Sequence, residues 1–273
     1  MPDITVAFAA RVIDAVRTIA AEEILPRYRG VAGTRKDDGS LVTEADLAAQ
    51  RALVKRLGAL EAAPVLGEEM PEGEQRAILD RGGRMWCVDP LDGTQNFTRS
   101  IAFFAVSVAL MEDARPVFGV VHDPVAGESF HAVRGAGAWL DHKALRVPAF
   151  APRLAGAIAE VSLRRDATAS LRGALKSHPP YARRLTSGSS ALSWCHLAAA
   201  RVDAMVHSGQ KVWDYAAGAL VLEEAGGSLC AIEDDDFWAA PVWRRSAIAA
   251  RDAALFAEWR AWIRGRLAAP GTS

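Results

Sequence analysis

Trp86-Cys87-Val88-Asp89-Pro90-Leu91-Asp92-Gly93-Thr94-Gln95-Asn96-Phe97 runs from an apolar strand pattern through two acids to a helix start. Residues 86–88 form a short apolar run of the kind that makes a buried strand, ending at Asp89-Pro90. Pro90 fixes its own φ and gives up a backbone donor, which predicts a turn. Asp89 and Asp92 stand three residues apart across that turn, so both carboxylates can converge on one point. Gly93-Thr94 lets the backbone bend into a short helix whose free N–H groups suit phosphate oxygens. Oxygen-only donors beside an anion site favour Mg²⁺, which completes its shell with water and substrate phosphate.

Two further segments repeat the pattern of acids at element ends. Gly67-Glu68-Glu69 closes an apolar run that starts at Pro64, and Trp213-Asp214-Tyr215-Ala216-Ala217-Gly218 opens a predicted helix with an acid. Carboxylates just past strands lie where open α/β sheets place their ligands. Each segment taken singly has a plainer reading. Glu68-Glu69 reads as a solvated pair, Asp214 as an acid favoured by the helix dipole, Asp46 as a cap, and Asp89 to Asp92 as an ordinary turn.

Outward from these segments, the chain alternates helical and strand patterns. Residues 3–25 read as an amphipathic helix, with Ile4, Phe8, Val12, Ile13, Val16 and Ile24 on one stripe. Residues 30–40 are Gly-rich and charged and predict a mobile loop. Thr43 reads as an N-cap, with Asp46 completing a variant capping box, for a helix to about Leu60. Apolar runs at 103–110, 117–121 and 129–133, split by turn signals, predict a strand meander. The second half predicts strands at 154–159, 203–207, 228–232 and 246–250, and helices at 189–200, 214–225 and 252–267. The fold class is therefore α/β (α+β) and layered. Two halves are expected, 1–150 and 151–273, divided softly at 148–152 and forming one catalytic unit.

Composition bounds the function. The chain has 273 residues, 51% hydrophobic and 24% charged, which suits a globular fold and excludes disorder. Its 32 basic and 33 acidic side chains give a formal net charge of −1, which argues against a general nucleic-acid binder. Cys87, Cys195 and Cys230 are far apart and odd in number, so neither a disulfide framework nor a zinc module is expected; they read as buried thiols of a cytoplasmic protein. The longest apolar stretch, at 101–111, is too short to span a bilayer, and the N-terminus lacks the pattern of a secretory signal. Acids 233–236 read as a solvated loop, and the Arg pairs 164–165, 183–184 and 244–245 as surface charges. Trp243, Trp259 and Trp262 are expected to pack the C-terminal helix.

Taken together, the segments at 67–69, 89–97 and 213–218 resemble those of the inositol monophosphatase family of Mg²⁺-dependent, lithium-sensitive phosphatases. They stand in that family's order and at similar separations, and the resemblance covers most of the chain. It implies an αβαβα sandwich, commonly a homodimer, that hydrolyses a small phosphorylated alcohol with metal-activated water. It also implies two to three Mg²⁺ ions, with Glu68, Asp89 and the Leu91 carbonyl holding the first and Asp89, Asp92 and Asp214 the second. A third would sit near Glu68. Gly93 and Thr94 would bind phosphate, Thr94 with Asp46 and Glu68 would orient the attacking water, and Lys36 would belong to the mobile loop. Gly188, Ser189 and Ser190 match the segment that meets the substrate's alcohol portion. Where inositol-selective members carry a Glu that accepts inositol hydroxyl protons, this chain has His207, which cannot reproduce that role. Inositol 1-phosphate is therefore not the expected best substrate. 3′-Phosphoadenosine 5′-phosphate, fructose 1,6-bisphosphate and histidinol phosphate are the alternatives. A regulatory role contacting RNA or transcription machinery is the alternative from a different class.

Overall fold

In the computed structural model, which describes residues 4–30, 32–36, 39–148, 152–163, 169–239 and 241–268, the first element is helix α1 (Val6–Ile19). The Thr5 hydroxyl caps it by accepting from the Phe8 N–H at 3.1 Å. The single helix expected to residue 25 instead passes into a π-helical turn at Ala20–Ile24 and a 3-10 turn at Leu25–Arg27. Pro26 explains the end, because it has no N–H to continue the ladder and its ring crowds the preceding turn. A small hairpin, β1 (Thr34–Arg35) and β2 (Leu41–Val42), occupies the predicted loop. Helix α2 (Glu44–Leu60) starts at the predicted capping box, with the Thr43 N–H donating to Asp46 Oδ2 at 2.7 Å and the Ala45 N–H to Thr43 Oγ1 at 3.1 Å.

The chain continues through β3 (Val65–Gly67), α3 (Glu72–Arg81), β4 (Arg84–Asp92), α4 (Thr94–Thr98), β5 (Ala105–Glu112), β6 (Arg115–Asp123), β7 (Glu128–Val133), β8 (Gly137–Leu140) and β9 (Lys143–Leu145). After a 3-10 turn at Leu154–Gly156 come β10 (Ile158–Ser162), α5 (Ala169–Ser177), β11 (Arg183–Leu185) and α6 (Ser190–Ala198). Then follow β12 (Ala204–Lys211), α7 (Val212–Glu224), β13 (Ser228–Cys230), β14 (Arg244–Ala250) and α8 (Ala253–Ala268). Strands β3 to β9 form one sheet in sequence order, parallel only between β3 and β4. The second sheet has the order β11-β10-β12-β14-β13, with β10 parallel to both its neighbours.

Alternation along the strands builds the layers. Trp86 and Val88 of β4 join Val106 and Val108 of β5 against Val12 and Val16 of α1 and Leu53 and Leu57 of α2. The intervening Cys87 and Ala109 face the other way, onto Trp194 of α6 and Leu220 of α7, which also cover Met205 and Ala249 of the second sheet. The far face of that sheet, with Val161, Val206 and Ile248, packs on Leu171 of α5 and on Leu255 and Trp259 of α8. The result is the αβαβα sandwich, with α6 and α7 buried between the sheets.

Some expectations change. Strand β4 does not stop at Asp89-Pro90 but runs on to Asp92, with its pairing to β5 irregular between those two acids. Pro90 is tolerated because a bulge needs no ladder donor there. The strand expected at 154–159 is a 3-10 turn followed by β10. Helix α7 opens two residues before Asp214, and β12 extends four residues beyond His207 through an irregular pairing. Residues 149–151, at the expected division between halves, and the Arg pair 164–165 lie outside the described residues. All three cysteines are buried and free. Among the described residues no helix is long and apolar enough to cross a membrane.

Candidate metal and phosphate site

Asp89, Asp92 and Asp214 each place a carboxylate oxygen within 4.8 Å of the others. The first two come from the bulged end of β4, the third from the first turn of α7. Ser107 of β5 joins these elements: it pairs with Asp89 in the sheet, and its hydroxyl donates to the Trp213 carbonyl at 3.1 Å. Asp89 Oδ1 accepts the Leu91 N–H at 3.0 Å, whereas Asp89 Oδ2 is buried with no protein partner. Asp92 Oδ2 accepts from the Ala191 N–H at 2.7 Å and from the Ser189 hydroxyl, and Asp214 Oδ2 accepts the Lys211 N–H at 2.8 Å. Burial, then the neighbouring acids, push Asp89 and Asp214 well above the usual carboxylate range. Burial also pushes Asp92 up to about 6, against the pull of Ser189 and the Ala191 N–H. A buried carboxylate oxygen without a donor, among like charges and hard oxygen atoms, fits a divalent cation.

Glu68 lines the same cavity, and its charge is among those that push Asp89 up. It sits on a turn after β3, which α3 holds in place: Gln75 Nε2 donates to the carbonyls of Gly67 at 2.8 Å and Glu68 at 2.9 Å. Because this segment turns rather than extends, Glu69 does not point away from Glu68 as an extended chain would require. Lys36 Nζ reaches both, donating to Glu69 Oε1 at 2.6 Å and Glu68 Oε1 at 3.4 Å. Burial raises Glu69 to about 7 despite Lys36. Burial disfavours the Lys36 ammonium, but the two glutamates outweigh it and its pKa is raised.

The turn that follows Asp92 is built for close approach. Gly93 has φ 94°, and a Cβ there would lie 3.1 Å from the Phe103 carbonyl oxygen. Thr94 Oγ1 lies 3.0 Å from both Asp46 Oδ1 and the Leu91 carbonyl oxygen. One hydroxyl proton serves one of these acceptors at a time. Asp46 is fully buried, so it caps α2 and faces Thr94 together.

Gly188, Ser189, Ser190 and His207 line a second cavity, which shares Asp92, Gly188 and Asp214 with the first. Ser189 caps α6, its oxygen accepting the Leu192 N–H at 3.4 Å. Asn96 Nδ2 donates to the Phe103 and Ser187 carbonyls, each at 2.8 Å, so this motif residue is a strut between the two cavities. The Gly209 N–H donates to His207 Nδ1 at 3.1 Å, which leaves the proton of the neutral ring on Nε2. The sequence-predicted residues thus line two adjoining cavities, except Asp46 and Lys36, which contact lining residues.

Other participants escaped the sequence reading. Gln50 accepts the Glu69 N–H at 3.1 Å, and neither it nor Gln75 carries a motif signal. Glu160 was missed as well, because it lies one residue beyond the strand expected at 154–159 and inside the observed β10. Trp243 packs not on α8 but on Trp213 at 5.6 Å, beside the site, with Lys211 and Arg76 over its ring at 3.9 and 3.8 Å.

Residues 4–263 match the model of the inositol monophosphatase family. The chain belongs to that family. This family member is 32% identical over 214 residues to the inositol-1-monophosphatase of Bacillus subtilis, covering 75% of this chain and 77% of that one. It is 39% identical over 170 residues to a Xylella fastidiosa protein named Nus factor SuhB, covering 60% of this chain and 61% of that one. Its fold superposes on the extragenic suppressor protein suhB of Bartonella henselae with a TM-score of 0.80 at 26% identity, covering 94% and 98% of the two chains. Relatives named as Nus factors remove the support for setting nucleic acid aside on net charge alone.

Proposed function

We propose that this family member is a Mg²⁺-dependent phosphomonoesterase acting on a small phosphorylated alcohol. The observation that carries the reading is the orphaned Asp89 oxygen within the acidic trio, directly beside the Gly93-Thr94 turn. Glu68, Asp89, the Leu91 carbonyl, Asp92 and Asp214 would hold two to three ions. Bound there, the ions neutralise the acids and the phosphate and lower the pKa of an attacking water.

The chain's own residues do the positioning. Gly93 and Thr94 present the backbone to phosphate, which the missing Gly93 side chain allows to come close. When the Thr94 hydroxyl donates its hydrogen bond to Asp46, its oxygen is free to accept a hydrogen bond from the water, which would aim that water's lone pair toward phosphorus. Glu68 helps hold the same water. The leaving alcohol then faces the second cavity, toward Ser189, Ser190 and His207. Lys36, on the β1–β2 hairpin, closes the acidic end. The two halves 1–150 and 151–273 act as one catalytic unit, since Asp214 completes a site begun by β4.

Phosphate release from a panel of phosphomonoesters, with and without Mg²⁺ and Li⁺, tests the assignment. Mg²⁺-dependent, Li⁺-inhibited release is expected, with inositol 1-phosphate not the preferred substrate. No release from any ester would sink the assignment, and a clear preference for inositol 1-phosphate would refute the role given to His207. The proposed active form is a cytoplasmic homodimer, which sedimentation of the purified protein checks. The relatives named Nus factor SuhB support a second, regulatory reading. Pull-down from lysate with and without nuclease tests it, and nuclease-sensitive capture of transcription proteins is the expected result.

A further inference from the structure

The second cavity has an unassigned charge on its wall. Glu160 of β10 is only 4% exposed, yet it lines this cavity together with Ser162, Thr186, Ser193 and His207. Sheet register explains the arrangement. Glu160 and Ser162 share one face of β10, and they pair with Met205 and His207 of β12, so all four look into the same space. One carboxylate oxygen of Glu160 is spent on the cavity rim: Oε1 accepts the Ser187 N–H at 2.8 Å and the Ser187 hydroxyl at 3.2 Å. The remaining wall offers hydroxyls and the imidazole. Among the described residues, every other charged side chain lining the cavity is an acid, Asp92 or Asp214. Arg184 lies near Glu160 and donates to the Val161 carbonyl at 3.4 Å, but it is not part of the lining.

Once Asp92 and Asp214 are neutralised by cations, Glu160 is the charge that an incoming alcohol meets. A buried carboxylate gains from a cationic donor and repels an anion, and both effects grow as water leaves the cavity. We propose that Glu160 makes this cavity select phosphomonoesters whose alcohol carries an ammonium group, and reject alcohols carrying a second anionic group. The inference rests on the phosphomonoesterase reading for the orientation of the ligand, with its phosphate toward Gly93 and Thr94. It favours single-phosphate amino alcohols over bisphosphates.

The test uses unreactive probes, so that it does not depend on turnover. Matched alkylphosphonates of three to five carbons, ending in an amine, a hydroxyl or a carboxylate, are titrated calorimetrically into the full chain in saturating Mg²⁺. The amine is expected to bind about tenfold tighter than the hydroxyl, as a hydrogen bond to a charged group implies, and the carboxylate weakest. Glu160→Gln keeps an acceptor for Ser187 and removes only the charge. It should erase the advantage of the amine while leaving the hydroxyl probe within about threefold, the range of an ordinary surface change. Equal or tighter binding of the carboxylate probe overturns the proposal. So does equal weakening of all three probes by Glu160→Gln, which would make Glu160 only a support for the Ser187 loop. Failure of the phosphatase reading shows separately, as absent phosphate release alongside a retained amine preference.

Discussion

Asp92 meets two demands with one carboxylate. Its Oδ2 is fixed by the Ala191 N–H and the Ser189 hydroxyl, which orients the group toward Asp89 and Asp214. Asp92→Asn can keep both bonds through its amide oxygen but loses the charge. Phosphate release should therefore fall at least about a hundredfold, beyond the loss typical of supporting groups around a metal, while the circular dichroism spectrum stays unchanged. Near-normal rates at saturating Mg²⁺ would refute its assignment as a ligand. Thr94→Val keeps shape and removes the hydroxyl between Asp46 and the Leu91 carbonyl. A loss of about a hundredfold or more in kcat with KM preserved is expected, the range of positioned proton transfer. A change confined to KM would show instead that Thr94 only binds phosphate. At this scale the sequence was informative about identity, because Asp89, Asp92, Gly93 and Thr94 lie in one short segment. It was silent on Gln50 and Gln75, whose partners lie on other elements.

Elements bring the acids together through close packing. Gly119 of β6 faces α7 so tightly that a Cβ would lie 2.8 Å from the Ala217 Cα, a backbone atom that cannot step aside. Gly119→Val should destabilise the fold by about 1–3 kcal/mol by urea unfolding, as overpacking does. It should also cut activity at permissive temperature, because α7 carries Asp214. Unchanged stability would mean that α7 can shift freely, and the account of its placement would fail. Long apolar elements such as β5, β6 and α7 were legible in the sequence because their periodicity covers several turns or pleats. Others were not. Helix α3 is mostly polar, with Gln75 its one buried residue. Strand β11 is exposed throughout, Arg183-Arg184-Leu185, and exists because β10 pairs with it. Its charges also suit an edge that must not recruit other strands. The continuation of β4 past Pro90 was equally hidden, since a bulge is set by the partner strand.

For the whole molecule, the acidic site is a source of instability that a bound cation would offset. Glu68, Asp89, Asp92 and Asp214 converge from three segments, and their mutual repulsion disfavours the folded state without a cation. Mg²⁺ at about a hundred times its Kd should stabilise the chain by about 2.7 kcal/mol, raising Tm by roughly 5–10 °C in a chain of this size. A chelator should reverse the shift, and Asp92→Asn should shrink it. Thermal unfolding unaffected by Mg²⁺ would argue that no cation occupies the trio. The layered class, the approximate positions of the long elements and the identity of the acids were legible along the chain, because those properties rest on local periodicity and contiguous motifs. Only the folded chain shows that Glu69 turns beside Glu68 onto Lys36, that Asn96 braces the loop at Gly188, and that Glu160 looks into the second cavity. Each of these depends on sheet register and on contacts between residues far apart in the chain, and a near-neutral sum of 32 basic and 33 acidic side chains holds no trace of where the acids meet.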